Sequence, residues 1–202
     1  MPERTTADEL LLQRASEGDQ AAFLELYDRY RQPIFRFAYR LLGSVEVAED
    51  VTHDCFLSLI RKPENFRPDR ASLKTYLFAA ARNLSFKHFR DQGREAAMDE
   101  VTQEPQDSPR RGPLRRLLDE ELEAQVREAV LSLPPLQREA LVLFEYEGLS
   151  LSEVAEIAGS DVGAIKARIY RAREGLRRSL RPYFESNQEL NSGREIVTLR
   201  EA

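Results

Sequence analysis

Apolar residues recur at helical spacing along most of the chain. Between residues 20 and 42 they predict one amphipathic helix, with a kink or a restart at Pro33, where the ring removes a backbone donor. A second helix is predicted over 45–60, with its inward face formed by Val47, Val51, Cys55 and Leu59. Ser72 is placed to cap a third helix, which runs from Leu73 to about Arg90.

The pattern is lost over residues 95–118, which contain several prolines and scattered charge and therefore predict a linker. Helical spacing resumes near Asp119 and is broken at Pro134 and Pro135. Three further helices are predicted at about 136–147, 151–158 and 162–180, and residues 186–202 are expected to form an irregular tail. No segment alternates for long enough to form a sheet. The predicted fold is all-α, with two small helical domains (1–94 and 119–185) joined by a flexible linker.

Charge divides the chain more sharply than its overall net charge of −5 indicates. Residues 61–94 and 162–181 each carry a net charge of +6, whereas residues 1–60 carry −5 and residues 95–161 carry −10. Basic segments of this kind can bind phosphate, and the acidic ones repel it or bind a basic partner. Solvated helix faces are the alternative explanation for either basic segment taken alone.

The clearest local motif lies in residues 148–180. Ser150 and Glu153 form a capping-box pattern, Gly159 permits a tight turn, and Asp161 can cap a second, basic helix. Together these features predict a helix-turn-helix, whose second helix would lie in the major groove of DNA. An ordinary helical hairpin with a charged outer face is the alternative.

The helix that begins at Leu73 carries a second kind of surface. One face combines an aromatic ring, an amide and two cations, a combination that suits single-stranded nucleic acid because the ring can stack on a base while the cations bind the backbone. The residues of this face are Tyr76, Ala80, Asn83, Lys87 and Arg90. Tyr76 could equally be a core residue with its hydroxyl at the surface.

The preceding helix presents carboxylates away from its apolar face, at Glu46, Glu49, Asp50 and Asp54. Acid–base catalysis or metal binding would need further groups, and no phosphate loop or catalytic triad spacing accompanies them. His53 and Cys55 are two residues apart on a helix, so they should point to opposite sides and cannot share a metal. These acids are better suited to binding a basic partner, and we expect neither enzymatic activity nor a cofactor.

The order of these segments resembles one protein family. The stretches LYDRYRQPIFRFAYRLLGS, AEDVTHDCFLSLI, SLKTYLFAAARNLSFKHFR, LPPLQREALVLFEYEGLSLSEVAEIAG and GAIKARIYRAREGLR are similar to those of the extracytoplasmic-function sigma factors, the minimal two-domain members of the bacterial sigma-70 family. The resemblance covers about residues 10–94 and 119–185, and the tail after Glu185 lies outside it.

The resemblance implies a role for each segment. Residues 1–94 would dock on core RNA polymerase and open the −10 element, and residues 119–185 would read the −35 element. The acidic helix would bind the clamp helices of the β′ subunit through Glu49, Asp50 and Asp54. The −10 element would be contacted by Arg67, Tyr76, Asn83, Lys87 and Arg90. The −35 element would be contacted by Lys166, Ala167, Tyr170, Arg171 and Arg173.

Further partners follow from the same resemblance. The C-terminal domain would contact the polymerase β flap, and an anti-sigma factor is expected to hold the protein inactive. Three residues differ from the usual family pattern. Tyr76 stands where the family usually has Trp, Lys87 where many members have Asp, and Ala167 where Ser is common. These differences bear on which promoter sequence is recognised and not on the class of protein.

Composition and the N-terminal sequence bear on the cellular location of the protein. The N-terminus lacks the apolar stretch of a secretory signal, no segment is apolar enough for membrane insertion, and the single cysteine cannot form an internal disulfide. A cytoplasmic location is therefore expected. Two rival functions stay open at this point, a stand-alone helix-turn-helix regulator and a small helical enzyme or metal protein.

Overall fold

The computed structural model of the protein describes residues 7–95 and 113–198, with side chains over 7–91 and 121–185. No strand occurs in these ranges, which confirms the all-α prediction. The helices are α1 (Ala7–Ser16), α2 (Gln20–Leu42), α3 (Val45–Arg61), α4 (Leu73–Glu95), α5 (Pro113–Leu131), α6 (Pro135–Leu141), α7 (Leu151–Ala158) and α8 (Val162–Thr198). A 3-10 turn (Pro63–Asn65) precedes α4, and a π-helical turn (Val142–Tyr146) follows α6.

Helices α1 to α4 form the N-terminal bundle, in which α2 is the central element. Asp19 caps α2 by accepting hydrogen bonds from the backbone N–H of Ala21 and Ala22 at 3.0 and 3.1 Å, and Gly43 ends the helix with a φ of +79°. Phe37 on its buried face meets Phe78 of α4 edge to face, with ring centroids 5.5 Å apart. The apolar stripe of α2 therefore joins α4 to the rest of the bundle.

The restart predicted at Pro33 is wrong, because α2 is continuous from Gln20 to Leu42. A proline inside a helix removes one backbone hydrogen bond. However, Tyr30, Ile34 and Phe37, on either side of Pro33, are buried in the core. Their packing stabilises the helix on both sides of the proline.

The helix-turn-helix is formed by α7, Gly159 and α8. Both hydrogen bonds of the capping box are present, since Ser150 accepts from the Glu153 backbone N–H and the Glu153 carboxylate accepts from the Ser150 N–H at 2.8 Å. Gly159 has a φ of +59°, and Asp161 caps α8 by accepting from the Ala164 N–H at 2.9 Å. These local predictions are confirmed.

Four predicted boundaries are wrong, the first being the end of α4, which continues past the predicted Arg90 to Glu95. Helix α5 begins at Pro113 rather than near Asp119, because proline is well tolerated in the first turn of a helix, so the last six residues of the predicted linker are helical. The helix predicted over about 136–147 becomes π-helical at Val142, and this π-helical turn ends at Tyr146, so Glu147 is not helical. Helix α8 continues to Thr198, through most of the predicted tail, since extending an existing helix costs less than nucleating a new one. Residues 96–112 of the linker lie outside the described residues.

The N-terminal bundle and the C-terminal helices pack against each other. Helix α2 contacts α5 and α6, and α4 contacts α7, so their buried apolar residues form one continuous core. At one such contact a Cβ added to Gly43 would lie only 3.1 Å from the Leu131 side chain, so the glycine permits the close approach of α5. None of the described helices combines the length and the apolar character that crossing a bilayer requires.

The capping box makes a testable contribution to the stability of the C-terminal domain. Ser150→Ala should lower the free energy of unfolding by about 1 kcal/mol, because the backbone N–H of Glu153 loses its acceptor. Ser179→Ala, at an exposed position of α8, is the matched control and should change it by less than about 0.5 kcal/mol. Urea denaturation followed by circular dichroism measures both, and equal stability of the two variants would contradict the assignment.

Candidate nucleic-acid interface

The second helix of the helix-turn-helix separates a buried face from an exposed, basic one. Ile165, Ile169 and Ala172 are buried against the rest of the domain. The predicted DNA-facing residues lie on the opposite side and are all exposed, namely Lys166, Ala167, Tyr170, Arg171 and Arg173. Among the large apolar side chains that the structure describes, Tyr170 is the most exposed, with 67% of its surface open to solvent. An aromatic side chain this exposed contributes little to the core and is available to a partner.

Both arginines of this set already have hydrogen-bond partners within the domain. Arg173 donates through Nε to the Glu145 carboxylate at 2.9 Å, so its charge is partly neutralised. Arg171 donates to the backbone carbonyl of Ala167 at 3.2 Å, a contact that holds its stem along the helix. Lys166 and Arg171 are therefore the cations best placed to meet phosphate or a base edge, and Arg173 would first have to exchange Glu145 for DNA.

The five-residue face of α4 is only partly exposed. Asn83, Lys87 and Arg90 are exposed as expected, but Tyr76 and Ala80 are half-buried. The Tyr76 ring meets Phe66 edge to face with centroids 5.6 Å apart, and burial raises the pKa of its hydroxyl. The prediction of a single exposed face is therefore wrong at its N-terminal end, where Tyr76 belongs partly to the core.

The loop before α4 holds Tyr76 in place. Phe66 is buried at its centre, while Arg67 is exposed beside it. Ser72 ends the loop by accepting from the Thr75 N–H at 3.1 Å, which confirms the predicted cap. The sequence did not single out Phe66, although an aromatic residue within a polar, proline-containing loop is a sign that the loop is anchored.

Helix α3 presents its acids to solvent. Glu49, Asp50 and Asp54 are exposed, whereas Cys55 is fully buried and burial raises the pKa of its thiol to about 12. His53 is exposed, so it and Cys55 do face opposite ways. Within the described ranges, no group of three or more His, Cys, Asp or Glu side chains is arranged to hold a metal ion.

An apolar groove runs beside this acidic face, where α2 and α3 meet the end of α1. It encloses about 520 Å³, and its lining includes Phe23, Tyr27, Phe56, Leu57 and Ile60. His53 lies at its edge and also lines a second, smaller depression with Glu49. The sequence could not reveal the groove, because its walls come from three helices, α1, α2 and α3, whose relative placement depends on packing.

Two buried carboxylates join the N-terminal bundle to the C-terminal helices. Glu139 of α6 is fully buried and accepts from Arg82 Nε of α4 at 2.6 Å. Glu147, only 3% exposed, lies 3.1 Å from Arg40 and 3.7 Å from Arg36, both on α2. Burial raises the pKa of both glutamates, and the neighbouring arginines act in the opposite direction. Sequence analysis did not predict these pairs, although Glu139 directly precedes the apolar run Ala140–Leu143, a position that favours burial.

Comparison with known proteins matches both halves of the chain to one family. Residues 26–95 match the family model for sigma-70 region 2, and residues 123–176 match that for sigma-70 region 4. The sigma-H factor of Pseudomonas aeruginosa is 33% identical over 87% of this chain and 94% of its own length. The extracytoplasmic-function sigma-E factor of Escherichia coli is 33% identical over 90% of this chain and 98% of its own length.

The similarity extends to three dimensions. The chain resembles the sigma factor RpoE of Bartonella quintana, solved in complex with the anti-sigma factor NepR, with a TM-score of 0.65 and 26% identity over 79% of this chain and 96% of that one. The two matched regions and their order along the chain are thus those of one family. The protein belongs to the extracytoplasmic-function sigma factors of the sigma-70 family.

Proposed function

We propose that this sigma factor binds core RNA polymerase, directs it to promoter DNA and stabilises the opened strand. The observation that carries the proposal is the presence in one chain of an exposed acidic helix, a polar face on α4 and an exposed basic recognition helix, within matched regions 2 and 4. The protein would perform no covalent chemistry, need no cofactor and act in the cytoplasm, where the polymerase is.

Recognition of the −35 element is assigned to α8. Its exposed side chains Lys166, Ala167, Tyr170 and Arg171 occupy consecutive turns of one face, which is the arrangement by which a recognition helix reads the major groove. Lysine and arginine bind phosphate or guanine edges, and an exposed ring can pack against a thymine methyl group. Arg173 would join them once it is released from Glu145.

Opening of the −10 element is assigned to α4 and the loop before it. Asn83 can hydrogen-bond to an unpaired base, while Lys87, Arg90 and Arg67 bind the backbone of the melted strand. Tyr76 would supply the ring, but its contact with Phe66 limits it to stacking through the face and edge left open. Because Tyr76 is half-buried, we expect its ring to support the other residues in binding the melted strand rather than to dominate that binding.

Docking on polymerase is assigned to α3. The exposed carboxylates Glu49, Asp50 and Asp54 would pair with basic residues of the β′ clamp helices, and the adjacent apolar groove would receive apolar side chains of the same partner. Region 4 would contact the β flap. Regulation by an anti-sigma factor is inferred from the RpoE–NepR complex, which the fold resembles.

Polymerase docking is tested by reversing charge on α3. Asp50→Arg combined with Asp54→Arg should abolish co-elution with core enzyme, because removing one side of a desolvated charge pair costs roughly 2–5 kcal/mol. Glu121→Arg with Glu123→Arg reverses the same number of exposed charges on α5 and should leave co-elution intact. Helical circular dichroism should be unchanged in both. Normal co-elution of the folded α3 variant would contradict the docking assignment.

The −35 assignment is tested by salt titration. In polymerase-bound protein, Lys166→Ala and Arg171→Ala should each weaken binding of −35 DNA and reduce the slope of log affinity against log salt by about one per lost phosphate contact. Arg178→Ala, an exposed cation further along the same helix, should leave sequence preference unchanged. The isolated chain should bind promoter duplex weakly, because its acidic segments oppose DNA. Nanomolar binding of a palindrome by a dimer of the free protein would instead indicate a stand-alone regulator.

The −10 assignment is tested on two templates. Asn83→Ala and Tyr76→Ala should bind core polymerase and transcribe a pre-melted bubble, but lose activity on intact duplex. Loss of one stacking contact, worth roughly 1–3 kcal/mol, lowers the opening equilibrium about 5- to 150-fold. Asn83 is exposed and its Oδ1 accepts from Arg82 Nη1 at 3.3 Å, so Asn83→Ala removes one surface hydrogen bond, whereas Tyr76→Ala removes packing on Phe66.

Tyr76→Phe is the matched control for that experiment, since it keeps the ring. It should retain most activity on duplex. Run-off transcription, together with a fluorescent base in the −10 element, measures opening directly. Equal loss on duplex and bubble templates would assign these residues to folding or docking, and full duplex activity of Tyr76→Ala would make the tyrosine a core residue alone.

A further inference from the structure

A carboxylate from outside the recognition helix lies on its exposed basic face. Glu145 belongs to the π-helical turn before α7, and Arg173 of α8 donates to one oxygen of its carboxylate through Nε, at 2.9 Å, and through Nη2. The two residues are 28 positions apart in the chain, so tertiary packing brings them together. The Arg173 side chain is 55% exposed and that of Glu145 is 38% exposed, so a third partner can reach both.

Further ion pairs on α8 join residues of the helix itself. Arg177 pairs with Glu174, three positions away, and Arg181 pairs with Glu185, four positions away. Pairs of this spacing are common on helix surfaces and stabilise the helix locally. Glu145 differs from these acids because the fold brings it to α8 from another element.

The segment that carries Glu145 is held in place on both sides. Val142 and Leu143 are fully buried in the core, and the Glu147 carboxylate pairs with arginines of α2. Exposed ion pairs are usually weak because two flexible side chains must be ordered to form them. Here two charge-assisted hydrogen bonds converge on one carboxylate from an anchored backbone, so the pair should lie at the stronger end of that range.

A carboxylate and a DNA phosphate bind a guanidinium group in the same way. Both are anions that accept hydrogen bonds from its N–H groups. The Nε and Nη2 groups that bind Glu145 form one edge of the Arg173 guanidinium, so a phosphate cannot use that edge while the pair exists. Tyr170 and Lys166 lie three and seven positions before Arg173, on the same exposed face of α8. Glu145 is therefore bound where the helix would meet DNA.

We propose that Glu145 is an internal competitor of DNA, whose carboxylate occupies the phosphate-binding edge of Arg173 and lowers the affinity of the free chain for duplex DNA. The inference rests on the proposed function, because it takes α8 to be the recognition helix. Arg173 can bind a phosphate through this edge only after the pair with Glu145 is broken. A lower affinity for DNA in general leaves more of the free chain available to core polymerase.

The expected effect is modest and does not require a particular base. An exposed ion pair of this kind changes an equilibrium by a factor of roughly two to five. Because Glu145 competes for the arginine and not for a base, the effect should appear on duplex DNA of unrelated sequence. It adds to the general repulsion between DNA and the acidic segments, but unlike that repulsion it depends on one arginine.

The test measures binding of full-length variants to a fluorescent duplex of unrelated sequence by anisotropy at fixed salt. Glu145→Gln removes the charge of the competitor and keeps its size. Glu156→Gln is the matched control, because it removes one charge from an exposed position of α7 in the same domain. Arg173→Ala provides a background in which Glu145 has no arginine to bind. Thermal unfolding followed by circular dichroism checks that each variant is folded.

We expect Glu145→Gln to bind the duplex roughly two- to fivefold more tightly than Glu156→Gln does. In the Arg173→Ala background, Glu145→Gln should give no greater gain than Glu156→Gln. Nuclear magnetic resonance of the arginine side chains provides an independent measurement. The Arg173 Nε–H should be protected from exchange with water in the wild type, and this protection should fall in Glu145→Gln.

Three results would overturn the proposal. The first is a Glu145→Gln variant that binds DNA no more tightly than Glu156→Gln. The second is an equal gain with and without Arg173, because the effect would then be the removal of one negative charge. The third is an unprotected Arg173 Nε–H in the wild type. If the gain requires Arg173 while Lys166→Ala and Arg171→Ala leave −35 binding unchanged, the competition stands and the proposed −35 assignment fails.

Discussion

A carboxylate removed from water is stabilised in its charged form by a cation beside it, and in this protein such pairs cross between the two domains. Glu139 has no exposed surface, and its partner Arg82 comes from a helix more than fifty residues earlier in the chain. Glu147 imposes the same condition on Arg36 and Arg40. Because these partners lie on α2 and α4, the position of the C-terminal helices depends on where the N-terminal bundle places its arginines.

These ion pairs use part of the unevenly distributed charge of the chain. The acidic segment 95–161 supplies Glu139 and Glu147, while the arginines come from α2 and from the basic segment 61–94. Part of the positive charge that could meet DNA is therefore used within the molecule. Lys87, Arg90, Lys166 and Arg171 stay exposed, so the packing of the two domains leaves the proposed reading surfaces uncovered.

The two domains differ in how closely their reading residues are tied to their cores. On α8 the buried stripe and the exposed residues are on opposite faces, so a change at Lys166 or Arg171 should leave folding untouched. On α4 the proposed reading face merges into the core through Tyr76 and Phe66, and Arg82, next to Asn83, pairs with Glu139. The proposed promoter-opening face and the contact between domains thus share a single helix.

Local chemistry was sufficient to predict most of the helices although not α1 or every helix end, together with the caps at Ser72, Ser150 and Asp161 and the helix-turn-helix, because each depends on residues within a few positions of one another. Family resemblance in ordered motifs was sufficient to identify the class. Only the tertiary structure decided that Tyr76 is half-buried, that an apolar groove flanks α3 and that Glu139 and Glu147 are paired across domains. Each of these depends on the relative placement of elements far apart in the chain, which periodicity along the sequence does not record.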